Sequence, residues 1–396
     1  MKEKFLIKKA NYHRITEEIL STGFDAGYAE PASEKYKNLT FKIFGLRAPE
    51  ANILKQLCLS LGFDCAVSRD TITCKCEKTD CIINGSKAQY KKLIKKLMVQ
   101  PFRLKELAKN IEEKIIFKLS PIKARNTLLD WKKPYIMGIL NVTPDSFSDG
   151  GEHNTIEKAI QHAKKLIEEG CDILDIGGES TRPNALPVTN SEEINRVVPV
   201  IKAIREFDDN ILISIDTTKY EVAKEAIKNG ADIINDVSGL KNDNELKNYV
   251  CKNNIPTIIM HSKKIPADSS IKTEDSKTDI VEEIYSNLSL IVEELVENGL
   301  ERKNIIVDPG IGFGKSINDS FEILKRIDEF STLNCPILVG ISRKSFISKS
   351  FDLTKDELDE ATLVYDSFLL TKGVNIIRTH EVKKHAISRE LLEKLL

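Results

Sequence analysis

The chain has 396 residues, 41% hydrophobic and 30% charged, with a formal net charge of −1. With no run of eighteen apolar residues and no signal-peptide pattern after Met1, the expectation is a soluble cytoplasmic protein, not a membrane-spanning or exported one. Eight cysteines scattered from Cys58 to Cys335 make no disulfide framework and suit a reducing compartment. The near-neutral total hides an asymmetry: residues 1–133 carry 27 Lys plus Arg against 15 Asp plus Glu, and the remainder 32 against 45. Opposite charge on two parts of one chain predicts two domains that dock through complementary surfaces, with an anionic partner such as nucleic acid as the rival use of the basic part.

In chain order, residues 1–119 read as a small α+β accessory domain that supplies no catalytic group. Tyr12 to Ser21 looks helical, Leu39 to Phe44 alternates like a strand, and Pro49 to Leu61 has helical spacing. Asp64 to Cys74 reads as a hairpin and Cys81 to Asn84 as another short strand. Ser86 sits where an N-cap belongs, before a Lys-rich helix over Lys87 to Met98, and Arg103 to Lys114 repeats the helical pattern. Cys65, Cys74, Cys76 and Cys81 lack the paired C-x-x-C spacing of a structural zinc site and read as small hydrophobes. Residues 120–133, closed by Pro134, make the predicted linker.

From residue 134 to 396, apolar runs and helical patterns alternate eight times. The runs are Tyr135–Asn141, Ile173–Gly177, Leu212–Asp216, Ile233–Asp236, Thr257–His261, Ile305–Asp308, Ile337–Ile341 and Asn375–Arg378. Between them lie helical patterns such as Ile156–Glu169, Glu192–Phe207, Tyr220–Asn229, Thr278–Asn298 and Asn318–Phe330. The first run lacks polar alternation, as a strand buried on both faces must. Eight strand-helix units of this length predict an α/β fold, a (β/α)8 TIM barrel, over a doubly wound sheet.

Polar residues gather where each run ends: Asn141, Asp175 with Gly177 to Pro183, Asp216, Asn235, Asp236, His261, Asp308 with Pro309 to Lys315, Ser342 to Lys344, and Arg378 to His380. In a barrel these ends converge on one mouth. Asp216, Asn235 and Asp308 offer carboxylate and amide partners to a flat, hydrogen-bonding heterocycle. Arg182, Lys344, Arg378 and His380, with Asn141 and Thr181, are the donors and metal contacts expected around a polyphosphate.

The motifs Met137 to Gly151, Asp175-Ile-Gly-Gly-Glu-Ser-Thr-Arg-Pro183, Ser214-Ile-Asp-Thr217, Ile234-Asn-Asp-Val237, Asp308-Pro-Gly-Ile-Gly-Phe-Gly-Lys315, Gly340-Ile-Ser-Arg-Lys-Ser345 and Arg378-Thr-His380 together resemble dihydropteroate synthase. The resemblance covers about two thirds of the chain. It implies a folate-pathway transferase, a sulfonamide target, that joins 4-aminobenzoate to (7,8-dihydropterin-6-yl)methyl diphosphate with Mg²⁺. Residue by residue it implies that Asp216, Asn235, Asp308 and Lys344 hold the pterin. It gives Asn141, Ser342, Arg378 and His380 to the pyrophosphate, with Asn141 as the metal contact. The aminobenzoate falls to Thr181, Arg182, Pro183, Phe313 and Ser345. Lys344, Arg378, His380 and Asp216 are the implied catalytic set.

Two departures stand out. After the fifth run the chain reads Met260-His261-Ser262-Lys263 and enters a polar insertion to about Lys277, so His261 is not counted as a ligand contact. The ending Arg378-Thr-His380 is followed by Glu381 where the family has Asp. The alternatives are a pterin-binding methyltransferase, which would not need the Thr181-Arg182 loop, Lys344 or the Arg378 and His380 pair, and a pterin-binding protein without catalysis. The expected partners are the two small-molecule substrates, with neither membrane nor nucleic acid, and the expected assembly is a homodimer through the barrel.

Overall fold

A computed structural model describes residues 7–10, 14–143, 152–179, 188–263, 275–276 and 278–395, without the side chains of 152–155. Two compact units divide the chain, Met1–Phe117 and Lys118–Leu396. In the first, the strands Asn38–Arg47 and Asp64–Val67 both pair antiparallel with a central Lys78–Ser86. Helices Ala48–Ser60, Lys87–Leu97 and Leu104–Ile116 supply Leu54, Cys58, Tyr90, Leu93 and Leu104 to a core shared with Ile83 of the central strand. Ser86 caps its helix as predicted, exchanging hydrogen bonds with Gln89. The fully buried Glu50 accepts from Arg47 at 2.7 Å and Arg103 at 2.6 Å, locking the start of one helix to the start of another. The Arg103 guanidinium, foremost, holds that carboxyl far below its ordinary range.

The hairpin expected over Asp64 to Cys74 does not form. Ser68 accepts from the Asp70 N–H and starts a 3-10 turn at Arg69–Thr71, so the strand Asp64–Val67 finds its partner in Lys78–Ser86 instead. The helix Ala26–Ser33, capped by Asp25, was not predicted; its internal Pro31 masks it in the sequence. Cys65 and Cys81 lie in the core while Cys74 is exposed.

The second unit is the barrel. Its strands are β1 Tyr135–Asn141, β2 Ile173–Gly177, β3 Leu212–Asp216, β4 Ile233–Asp236, β5 Thr257–Met260, β6 Ile305–Asp308, β7 Leu338–Val339 and β8 Ile376–Thr379. Neighbours pair in parallel from β1 round to β6, and β8 lies between β7 and β1. A parallel bridge from Val307 to Ile337 closes the ring between β6 and β7. The seventh strand is shorter than its apolar run: Ile337 makes an isolated bridge, and Gly340, just past the strand, lies against Arg378, whose Cβ would stand 3.3 Å from a Cβ added there. No helix among the described residues is long and apolar enough to cross a membrane.

The stretch read as a linker is ordered. Ile122–Ala124 and Thr127–Leu129 pair as a hairpin, and Ile122, Ala124 and Leu129 pack with Tyr135 and Met137 of β1 and with one residue from each other barrel strand, Ile173, Leu212, Ile233, Ile258, Ile306, Leu338 and Ile376. Arg125, at the turn with φ +51°, reaches Asp232 at 3.0 Å and Asp209 at 2.7 Å. Its two prolines signalled a linker in the sequence; the apolar Ile122, Ala124 and Leu129 are what seat it under the barrel.

Candidate active site

Side chains on a strand alternate, so the residue two places beyond each member of that apolar floor also points inward. The next places along the strands are Asp175 in β2, Ser214 in β3, Asn235 in β4, Asp308 in β6, and Arg378 in β8. In five of the eight strands the apolar floor thus gives way, in one step of the pleat, to a polar layer facing the mouth, while β1 and β5 place Ile139 and Met260 there and Gly340 stands just past β7. Two places further along lie Asn141 and Asp216, with Ser342 and His380 just past the ends of β7 and β8.

The layer is tied together by charge. Arg378 Nε donates to Asp175 at 2.6 Å and its Nη2 donates to Asp216 at 3.0 Å. Asn235 Nδ2 donates to both Asp175 oxygens, at 3.3 and 3.2 Å. Asp175 is fully buried, so its negative charge is neutralised by Arg378 rather than by water. Burial, then the neighbouring Asp175, pushes the Asp216 carboxyl above its usual range, with Arg378 opposing. Gly177 lies between Asn141 and Asp216: a Cβ there would be in ordinary contact with both, 3.7 Å from Asn141 Oδ1 and 3.6 Å from Asp216 Cβ.

Across the mouth, Asp308 accepts from the Gly310 N–H at 2.7 Å. Burial raises its pKa, with Lys344 and then that hydrogen bond pulling back. Lys344 donates to the Ile311 carbonyl and lies 4.7 Å from the Phe313 ring centroid. Burial lowers the Lys344 pKa from 10.5 to about 8, against the pull of Asp308. Ser345 is exposed at the start of the helix that follows. The His380 N–H donates to Ser342 Oγ at 3.3 Å, holding the last two strand ends together. Thr181, Arg182 and Pro183, with the motif stretch from Pro144 to Gly151, lie outside the described residues.

Four residues with a part in this site were given no role in the sequence-based assignment. Asp175 is at its centre, and the signal was a lone carboxylate inside an apolar run. Lys315 is buried and donates to the carbonyls of His261, Gly310 and Phe313, which fixes the turn beneath Phe313; burial brings its pKa down to about 7. Gly310, at φ +65°, is required in that turn, since a Cβ would come within 1.9 Å of the His261 carbonyl. Arg343, with φ +58°, pairs with Asp359 and Glu381 and so braces the turn that carries Lys344 against the end of β8. His261 is buried with its Nδ1 unpartnered among the described residues, and burial lowers its pKa to about 3.

As a metal donor Asn141 offers one neutral oxygen. Among the described residues no group of three or more His, Cys, Asp or Glu side chains could hold a metal ion. That donor set fits Mg²⁺, which keeps much of its water and commonly shares a phosphate with one or two protein oxygens.

The model of the pterin binding enzyme family matches residues 137–380, from β1 to the end of the polar layer. Dihydropteroate synthase of Bacillus subtilis is 41% identical over 276 residues, covering 69% of this chain and 93% of its own. The chain belongs to the dihydropteroate synthases of the pterin binding enzyme family. Among solved structures of that family, one from Clostridium difficile in the presence of pteroic acid is 40% identical with TM-score 0.62, covering 67% of this chain and 97% of its own. One from Xanthomonas albilineans with 4-aminobenzoic acid is 32% identical with TM-score 0.65, covering 70% and 98%. A probable bifunctional folylpolyglutamate synthase/dihydropteroate synthase of Haloferax volcanii is 39% identical over 349 residues, 85% of this chain. That match is longer than the barrel unit, so it continues into the first unit. This chain spans 41% of the length of that bifunctional relative.

Proposed function

We infer that the barrel condenses 4-aminobenzoate with (7,8-dihydropterin-6-yl)methyl diphosphate, releasing pyrophosphate and 7,8-dihydropteroate. The observation that carries this is the polar layer itself: Asp175, Asp216, Asn235 and Arg378 joined across four strands, opposite Asp308 and Lys344, in a chain 41% identical to a dihydropteroate synthase.

In this reading Asp216, Asn235, Asp308 and Lys344 take the polar edges of the pterin, whose donors and acceptors need partners once water is gone. Arg378, His380, Ser342 and Asn141 take the diphosphate. Thr181, Arg182, Pro183, Phe313 and Ser345 take the aminobenzoate. The methylene carbon loses its bond to the diphosphate oxygen as the electron-rich ring delocalises the positive charge left behind. The negative charge gathering on the leaving oxygen meets the Arg378 guanidinium, already oriented by two carboxylates. The neutral arylamine forms the new C–N bond and gives up a proton, without needing a strong base. Mg²⁺, when bound with the diphosphate, supplies Lewis-acid stabilisation of that leaving group.

The test is incubation with both substrates and Mg²⁺, with pyrophosphate and dihydropteroate measured together. Both products are expected in equal amounts, and chelation of Mg²⁺ is expected to remove most of the rate. Pterin binding without either product would leave a non-catalytic binding protein. A sulfonamide is expected to compete with 4-aminobenzoate and not with the pterin.

A further inference from the structure

Both chain neighbours of His380 are held from inside the protein by one side chain. His385, in the helix Val382–Glu393, is 2% exposed, and Asp366, in the helix Lys355–Thr371, is fully buried. His385 Nε2 meets Asp366 Oδ2 at 2.9 Å, while Nδ1 lies 2.7 Å from the Glu381 carbonyl and 3.3 Å from Thr379 Oγ1. An ionised carboxylate and a carbonyl can only accept, so beside the Asp366 carboxylate both ring nitrogens carry hydrogen and the ring is an imidazolium. Burial opposes that charge, but the hydrogen bond to Asp366 outweighs burial and raises the His385 pKa. Burial raises the Asp366 pKa as well, with His385 pulling it back.

The Nδ1 end of the ring governs the backbone on each side of His380. The Glu381 N–H donates to Thr379 Oγ1 at 3.1 Å, which closes a turn over His380, and Nδ1 reaches that same hydroxyl. The Glu381 carbonyl also takes the His385 backbone N–H, but at 3.3 Å, so Nδ1–H at 2.7 Å is its closer partner. The Nε2 end fixes the ring to the neighbouring helix. Asp366 Oδ1 has no partner among the described residues, which leaves the imidazolium as the support of that buried carboxylate. About two turns earlier the same helix offers Asp359 to Arg343, which also pairs with Glu381. One helix thus steadies, through two carboxylates, the turn before Lys344 and the turn that ends β8.

We propose that His385 is a positioning residue for the diphosphate: by holding the Glu381 carbonyl and the Thr379 hydroxyl it sets the backbone from which His380 meets the leaving group, a role that rests on the functional reading above. The defect it predicts is selective. The side-chain hydrogen bonds of His385 go to Asp366, Glu381 and Thr379, none of them a group assigned to the pterin ring.

Two substitutions separate the two ends of the imidazole. In H385N the amide nitrogen falls near the place of Nδ1 and donates to the carbonyl four residues back, as Asn229, Asn253, Asn287 and Asn298 do in this chain at 2.7–2.9 Å, while the Asp366 contact is lost. In H385Q the longer amide reaches Asp366 in place of Nε2 and leaves the Glu381 carbonyl. Calorimetry with Mg²⁺ measures the affinity for the dihydropterin diphosphate and for the same pterin bearing a hydroxyl instead, and their ratio is what the diphosphate contributes. In H385Q that ratio should fall about tenfold, as for the loss of one charged hydrogen bond, with kcat falling alongside and the affinity for the hydroxyl compound kept within about twofold. H385N should recover most of the ratio even though its Tm falls, because the stranded Asp366 destabilises the fold without moving the turn. Should H385N fail to fold, the double variant D366N/H385N, which removes the buried charge together with its partner, takes its place. An unchanged ratio in H385Q, a ratio reduced as much in H385N as in H385Q, or an equal loss of both affinities overturns the proposal. A parent chain that forms no dihydropteroate would instead sink the functional reading, and the proposal with it.

Discussion

Replacing Asp175 by Asn keeps the shape of the side chain and removes one negative charge from the centre of the polar layer. In the folded protein Arg378 then keeps Asp216 as its one carboxylate partner, at 3.0 Å, in place of two. The amide also brings an NH2 group either to the oxygen position that accepts from Arg378 at 2.6 Å and Asn235 at 3.2 Å or to the one that accepts from Asn235 at 3.3 Å, setting donor against donor. Removing one partner of a buried ion pair costs about 3–5 kcal/mol. Asp175 is fully buried, so little solvent screening reduces that figure, while the remaining Asp216 bond places the expected loss near the lower end, about 3 kcal/mol. At roughly 2 °C per kcal/mol for a domain of this size, Tm should fall by about 6 °C. The released guanidinium should also lower kcat by about tenfold to a hundredfold, because Arg378 no longer points at the diphosphate site when the leaving oxygen needs it. Scanning calorimetry and steady-state kinetics on the same preparation measure both. A Tm within about 1 °C of the parent together with unchanged kcat would refute the reasoning, since a buried carboxylate that holds Arg378 cannot be neutralised without consequence.

Asp308→Ala should abolish measurable pterin binding in calorimetry while the barrel stays folded, because it strips both the ring's acceptor and the anchor of the Gly310 N–H; retained pterin affinity would remove Asp308 from the site. Pterin affinity should decline as pH rises through about 8, where the Lys344 ammonium is lost. Stability has the opposite sign: the unfolded chain keeps that proton up to 10.5, so this group's contribution to stability rises with pH between about 8 and 10.5. Lys344→Met should erase both trends, and a pH-independent pterin affinity in the parent would contradict the charged role. A chain beginning at Lys118 should keep its catalytic constants within about tenfold, whereas one beginning at Lys132 should lose solubility or melt earlier, since the second cut removes Ile122, Ala124 and Leu129 from the barrel core. Equal melting of the two would mean the hairpin adds nothing.

Much of the barrel could be read from the chain because its signal is local. β1 to β4 and β6 begin and end where their apolar runs do, and all of these runs but the second, which ends on Gly177, close on an Asn or Asp. The short β7 was not legible, since what bounds it is its pairing with β8 at Leu338 and Val339, a contact between strands. The inward face of each strand could be counted in steps of two, and that count would have placed Asp175 beside Asn235. What the sequence cannot print is that Asp175 meets a guanidinium 203 residues away, or that Arg343 and Lys315 brace the turns under Lys344 and Phe313. Such contacts depend on the closure of the ring. The hairpin at Ile122–Leu129 was missed because three-residue strands give too little alternation to separate from a Pro-flanked connector.

The apolar floor has a kinetic consequence. Nine strand residues and three from the hairpin seal the N-terminal end of the barrel, so the polar layer lies at the bottom of a well that opens at the C-terminal end. In a well, molecules queue. The pterin, three of whose four proposed partners (Asp216, Asn235 and Asp308) are set in the strands themselves, would on that assignment descend before the arylamine occupies the rim near Phe313 and Ser345. The arylamine would otherwise stopper its path. On the proposed assignment of the two substrates, ordered addition is the expected outcome, with the pterin diphosphate first, and initial-rate kinetics with both substrates varied would test it. The joined product must in turn leave by the way its parts came in, which makes the vacating of the well a natural candidate for the slow step of turnover.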